Sequence, residues 1–140
     1  MKRKNGFFLV ILLAALLASC KSILLPPPAP VSENSAVVGL VASARAESDA
    51  GRYPTAIATL ERALRIEPKN PHLWQEFARV RMRQGDYAQA ENLAARSNSW
   101  AGADHDLRAE NWRLIAEARS ARGDESGARD ALERAKQTER

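Results

Sequence analysis

The chain has 140 residues, in which 21 Lys and Arg side chains stand against 17 Asp and Glu. This length suits one small domain. Lys2, Arg3 and Lys4 lie at the extreme N-terminus, and without them 18 basic residues remain against 17 acidic ones. Nucleic acid is therefore not an expected partner, because almost no basic excess is left to neutralise phosphates.

The N-terminal segment has the pattern of a secretory signal. A basic start leads into an apolar run over residues 7–17, and small residues precede Cys20. The run is shorter than the about 20 residues that a membrane-spanning helix needs. Because Cys20 follows the predicted cleavage point, the segment resembles the lipobox of bacterial lipoproteins. The resemblance implies that residues 1–19 are removed and that Cys20 is acylated. The alternative is an ordinary secretory signal with an unmodified thiol.

Residues 20–35 are predicted to form a linker that begins at the acylated cysteine. Pro26, Pro27, Pro28 and Pro30 lie within it and favour extended polyproline II, at about 3.1 Å per residue. The sequence that follows is rich in Ala, Leu, Glu and Arg, a composition that favours helix. We therefore expect a helical domain over residues 36–140.

Three glycine-centred segments recur within this predicted domain. Gly51, Gly85 and Gly123 are separated by 34 and 38 residues, and each is followed five positions later by an alanine. A period near 34 residues with a central glycine turn is typical of helical repeats. The pattern resembles the tetratricopeptide repeat.

The resemblance rests on small and aromatic residues that match from one repeat to the next. These positions are Gly51, Ala56, Trp74, Ala78, Gly85, Ala90, Trp112, Ala116, Gly123 and Ala128. The resemblance implies an all-α fold, a short solenoid of three helix-turn-helix repeats over about residues 37–70, 71–104 and 109–140. It also implies that the two tryptophans belong to the core.

Capping signals predict the ends of the individual helices. Asn70 before Pro71 suits a helix start, as does Asp86. The predicted helices cover about residues 36–50, 54–66, 71–84, 87–98, 107–122 and 125–138. Four extra residues separate the second and third repeats, and we predict a long loop over residues 97–106 for them. Glu47 and Arg81 occupy a position that is aromatic in the family, and we predict that they approach each other across adjacent repeats.

The sequence offers no recognisable arrangement of catalytic residues. His72 and His105 are its two histidines. Asp104 and Asp106 flank His105, but three consecutive residues rarely supply the converging ligands that a metal ion requires. The chain is therefore predicted not to be an enzyme and to need no metal or cofactor.

A binding face is predicted on the first helix of each repeat, because these helices line the concave side of such a solenoid. The candidate residues are Arg45, Gln75, Arg79, Arg83, Arg113 and Glu117. The arginines would form a basic strip that suits the carboxylates of an acidic peptide or a protein C-terminus. The alternative is that they pair with Asp49, Glu76 or Glu117 and keep the groove solvated.

These features predict a lipid-anchored scaffold or adaptor that binds protein partners in the cell envelope. Lys21 follows Cys20, and by resemblance this favours the periplasmic face of an outer membrane. Similar anchored repeat proteins assist pilus secretins, outer-membrane assembly or cell-wall enzymes, and the sequence does not choose among them. The second hypothesis is a structural lipoprotein that self-associates through Val37, Val38 and Val41.

Overall fold

The computed structural model describes residues 30–139, which form six α-helices and no strand. The helices are α1 Ser35–Asp49, α2 Tyr53–Ile66, α3 Pro71–Gln84, α4 Tyr87–Trp100, α5 His105–Ala121 and α6 Glu125–Thr138. The predicted all-α fold is confirmed. Among these helices, none combines the length and the apolar character that crossing a membrane requires. Cys20 lies outside the described residues, so its acylation stays a prediction.

Polar side chains cap the helix starts where the sequence predicts them. The Asn70 side chain accepts a hydrogen bond from the His72 amide, and Pro71 follows at the first helical position. The Asp86 side chain accepts from the Gln89 amide in the same way at α4. Such caps satisfy amide groups that have no partner within the helix. Gly85 ends α3 with φ 84°, a left-handed conformation that favours glycine.

The four extra residues of the third repeat form helix instead of the predicted loop over residues 97–106. Helix α4 continues to Trp100 and α5 begins at His105. Trp112 is the eighth residue of α5, whereas the equivalent Trp74 is the fourth residue of α3. The insertion therefore adds one turn to the start of α5. This turn is stable because the Asp104 side chain caps it, accepting from the Leu107 amide at 3.0 Å, and because Leu107 is buried.

The helices pack as three antiparallel pairs that stack side by side. Each helix packs against its neighbours in the chain, and the first helix α3 also packs against the first helices α1 and α5. Among the described helices, the second helices α2, α4 and α6 do not pack together. The stack therefore curves, with α1, α3 and α5 on its inner, concave side.

The core consists of small and aliphatic side chains between these layers. The five repeat-defining alanines are at most 5% exposed. They are Ala56, Ala78, Ala90, Ala116 and Ala128. Trp74 and Trp112 are partly buried and pack against the core from its edge, so they contribute less to the interior than predicted.

The three valines predicted to form a self-association surface on α1 are not exposed together. Val37 and Val41 are 0% and 1% exposed and pack in the core with Leu60. Val38 is 39% exposed. The apolar face of α1 is thus buried within its own domain, because α2 and α3 cover it.

Candidate functional site

The concave groove follows α3 between α1 and α5. Three adjoining pockets of about 170, 420 and 350 Å³ lie along it. Arg79 lines all three pockets and therefore marks the centre of the groove. Gln75 and Glu110 line both the 350 Å³ and the 420 Å³ pocket. Met82 and Leu114 add apolar surface beside Arg79.

The arginine on α1 is held by a carboxylate from α3. Arg45 Nε donates to Glu76 Oε2 at 3.0 Å, and Arg45 Nη2 donates to Glu76 Oε1 at 2.6 Å. This two-pronged geometry is the one that the planar guanidinium favours. The hydrogen bond to Glu76 raises the pKa of Arg45 above its usual value. The side chain of Glu76 is 11% exposed, so a largely buried carboxylate joins α1 to α3 through this ion pair.

Two of the three arginines of α3, Arg79 and Arg83, reach in opposite directions across the groove. Arg79 Nη2 donates to Glu110 Oε2 on α5 at 3.0 Å, and the buried Gln75 donates to the same oxygen at 3.1 Å. Arg83 pairs with Asp49 on α1 and lies 3.3 Å from Ser48 Oγ. The side chains of both arginines are about half exposed. Each bond thus joins two repeats at the solvent-facing surface of the groove.

The third repeat completes the candidate set. Arg113 on α5 pairs with Glu139. Glu117 is exposed, lines the 350 Å³ pocket with Arg113, and forms no ion pair among residues 30–139. Gln75, Arg79, Arg83, Arg113 and Glu117 therefore line one pocket, and Arg45 lies in the adjoining one.

The groove alternates in charge and does not form the predicted basic strip. The pairing of arginines with Asp49 and Glu76, predicted as the alternative, is confirmed. Glu110 takes the role that was expected of Glu117. A groove in which arginines and carboxylates alternate is suited to a partner that carries both signs of charge.

Glu110, Met82 and Leu114 are groove residues that the sequence prediction missed. A signal for Glu110 is present in the chain, since Arg45 and Glu76 are separated by 31 residues and so are Arg79 and Glu110. The separation recurs because Arg79 is the repeat equivalent of Arg45, although the added turn of α5 places Glu110 one helical turn before the position equivalent to Glu76. The apolar pair has no such signal, because a methionine and a leucine on a helix are more often core residues.

The prediction that Glu47 and Arg81 approach each other is wrong. Glu47 accepts a hydrogen bond from Arg52 in the following turn, and this bond lowers the pKa of Glu47. Arg81 lies over the Phe77 ring at 5.5 Å and donates to Asp86 at 3.4 Å. Each side chain pairs with a partner in its own repeat, and the two form no ion pair with each other.

The acidic and histidine residues at the start of α5 serve the fold. Asp104 caps α5 and lies 3.7 Å from His72 Nε2. Within residues 30–139, no three His, Cys, Asp or Glu side chains are grouped as a metal site would require. The geometry of this region is that of a helix start.

Comparisons with known proteins agree with the geometry. The sequence profile of the tetratricopeptide repeat matches residues 48–109. The solved structure of the globular C-terminal domain of LpoP from P. aeruginosa is 40% identical to this chain, with a TM-score of 0.73. The match covers 75% of this chain and 99% of the LpoP domain. A search of curated proteins gave no match.

Proposed function

Because the chain belongs to the tetratricopeptide repeat family that includes the C-terminal domain of LpoP, we propose that it is a non-catalytic adaptor that binds a protein partner in its concave groove. The observation that supports this most strongly is the continuous line of pockets centred on Arg79. The groove offers charge of both signs next to an apolar surface from Met82 and Leu114. Such a surface recognises a peptide segment or helix face.

The partner segment that fits this groove carries acidic and basic side chains together with an apolar one. Ion pairs between exposed side chains contribute about 0–1 kcal/mol each. Arg79 or Arg83 can therefore exchange its intramolecular carboxylate for one from the partner at little cost. The gain in affinity from each exchange is also small, so the charges select the partner and its register. The apolar surface beside Arg79 supplies the favourable burial.

We place the adaptor in the cell envelope, anchored through an acylated Cys20. The basic and apolar N-terminal segment before Cys20 supports export. Two or more acyl chains hold a protein firmly on a membrane, since each buried methylene contributes about 0.8 kcal/mol. Lys21 after the cysteine supports the periplasmic face of an outer membrane. The machinery served is of the pilus-secretin, outer-membrane or cell-wall class.

Affinity purification of the full chain from solubilised envelopes tests the groove. The test variant combines Arg79→Ala and Arg83→Ala. The matched control combines Arg62→Ala and Arg65→Ala, which removes the same charge from exposed positions on α2. We expect a discrete partner with the wild type and the control and its loss with the groove variant. Recovery of the same partner by the groove variant would falsify the proposal.

A further inference from the structure

The chain enters the folded domain at one end of the stack, beside the loop between α2 and α3. Asn70 Nδ2 donates to the Val31 carbonyl oxygen at 2.8 Å, and Ser32 Oγ donates to Glu67 Oε1 at 2.7 Å. At this end the first helices begin and the second helices finish. We call this surface the tether end and define it by residues 30–34, the ends of α2 and α4, and the loops over residues 67–70 and 101–104.

Two large apolar side chains are exposed at the tether end. Ile66 finishes α2 and is 47% exposed, and Trp100 finishes α4 and is 42% exposed. They are 34 residues apart, so they occupy the same position in successive repeats. Lys69, in the loop after α2, lies beside Trp100, with its Nζ 5.5 Å from the centre of the ring. The exposure is thus a repeated feature of this end.

Cations at the tether end lie over aromatic rings and not beside carboxylates. The Arg96 guanidinium lies 4.1 Å from the centre of the Trp74 ring, whose Nε1 donates to the Pro68 carbonyl oxygen at 3.0 Å. In the described part of the chain, neither Lys69 nor Arg96 forms an ion pair. The nearby Glu67 carboxylate accepts from both Ser32 and Asn70. The same end also carries the carboxylates of Glu33, which is exposed, and Asp104, which lies 3.7 Å from His72 Nε2. Because Lys69 and Arg96 pair with none of these carboxylates, they are the cations at this end that can contact an external anion.

We infer that the tether end contacts a lipid surface with anionic headgroups. Trp100 and Ile66 enter the interfacial layer, where tryptophan is favoured, and Lys69 and Arg96 lie at the level of the phosphates. The inference rests on the proposed lipid anchor, because the anchor determines which surface lies within reach. A protein partner fits this end less well, because its exposed large apolar side chains are only Ile66 and Trp100 among the described residues and the tether lies beside them.

The covalent distance to Cys20 permits this contact. Ten residues separate Cys20 from residue 30, and an extended chain of that length spans about 30 Å. The tether end is the first part of the folded domain along this path. Since the anchor keeps the domain within that distance, a weak interfacial contact is sufficient to orient it. The contact is expected to turn the chain entry toward the membrane and to leave the groove open from the side.

Tryptophan quenching by lipid tests the contact. The acylated full chain is reconstituted into vesicles of phosphatidylethanolamine and phosphatidylglycerol with brominated acyl chains, which quench tryptophan fluorescence on contact. We expect quenching in the wild type and its loss in Trp100→Phe, a variant that keeps an aromatic ring at an exposed position. Equal quenching in the two proteins, or none in the wild type, overturns the inference.

Two double variants distinguish a headgroup contact at the tether end from a general effect of charge. The first combines Lys69→Gln and Arg96→Gln at the tether end, and the second combines Arg79→Gln and Arg83→Gln in the groove. We expect the first pair to lower the ratio of surface-bound to detached domain about fivefold per cation and the groove pair to leave it unchanged. Equal effects of the two pairs contradict the assignment.

Flotation of the same vesicles distinguishes two outcomes: loss of the membrane contact at the tether end and loss of the lipid anchor at Cys20. Protein that floats without quenching of Trp100 retains the anchor and contradicts the membrane contact. Protein that does not float contradicts acylation of Cys20. Cross-links from position 100 to a protein instead of lipid identify the tether end as a protein-docking surface, which also overturns the inference.

Discussion

The concave groove and the tether end both expose arginine or lysine, yet the two regions use these cations differently. In the groove, Arg79 and Arg83 each pair with a carboxylate from a neighbouring first helix. At the tether end, Lys69 and Arg96 lie over tryptophan rings. A cation beside a carboxylate contributes to selection among partners, whereas a cation over a ring keeps its charge for an external anion. The comparison indicates a protein-binding groove and a surface-contacting end on one small domain.

The largest difference in unfolding free energy is expected between variants of Trp74, which lies on α3 beside the tether end, and of Trp100, which lies within it. Trp74→Ala removes a partly buried ring, its hydrogen bond to Pro68 and its contact with Arg96, so we expect a loss of about 3 kcal/mol in the free energy of unfolding. Trp100→Ala removes an exposed ring, and we expect a loss below about 1 kcal/mol. Urea unfolding followed by circular dichroism measures both. Similar losses would show that Trp100 is a structural residue and not a contact residue.

A smaller effect is expected from breaking the best-formed ion pair of the groove. Glu76→Gln leaves Arg45 without its carboxylate, and we expect a loss of about 1 kcal/mol because Glu76 is largely buried while Arg45 is about half exposed. Glu117→Gln, at an exposed position on α5, is the control, and we expect a change within about 0.5 kcal/mol. The same unfolding measurement applies. A loss at Glu117 as large as that at Glu76 would contradict the assignment of the pairs.

Much of the fold could be predicted because the signals for it are local. Asn70 and Asp86 cap the helices for which they were proposed. The glycines at positions 51, 85 and 123 all adopt positive φ. The regular spacing of these signals predicts the repeat, and the repeat predicts the order in which the helices stack. The confirmed tetratricopeptide fold therefore follows from short-range chemistry repeated at a fixed period.

The four-residue insertion could not be placed from the sequence because an added helical turn and an added loop contain the same number of residues. Polar residues at positions 97–99 and Gly102 favoured the loop. In the structure, Ser97 is buried and donates to the Pro71 carbonyl oxygen, while Asn111 donates to Ser97. These hydrogen bonds link α3, α4 and α5, so polar side chains here belong to the interior. Hydrogen-bond partners on other helices therefore determine that this segment is helical, and a local sequence pattern does not reveal such partners.

The groove residues could be predicted as a set, but their partners could not. The repeat register places Arg45, Arg79 and Arg83 on first helices, and the structure confirms that position. Glu110 lies in the groove, where Arg79 reaches it across the contact between α3 and α5. The length of a side chain and the rotation of its helix decide which acid an arginine reaches, and neither is fixed by sequence spacing alone.

Photo-crosslinking in cells from three single positions tests the division between the groove and the tether end most directly. A crosslinking residue is placed at Arg79, Arg83 or Trp100 of the full chain, and the products are identified by mass spectrometry. We expect one discrete envelope protein from positions 79 and 83 and lipid adducts from position 100. A protein partner caught at position 100, with no product from either groove position, would contradict the account.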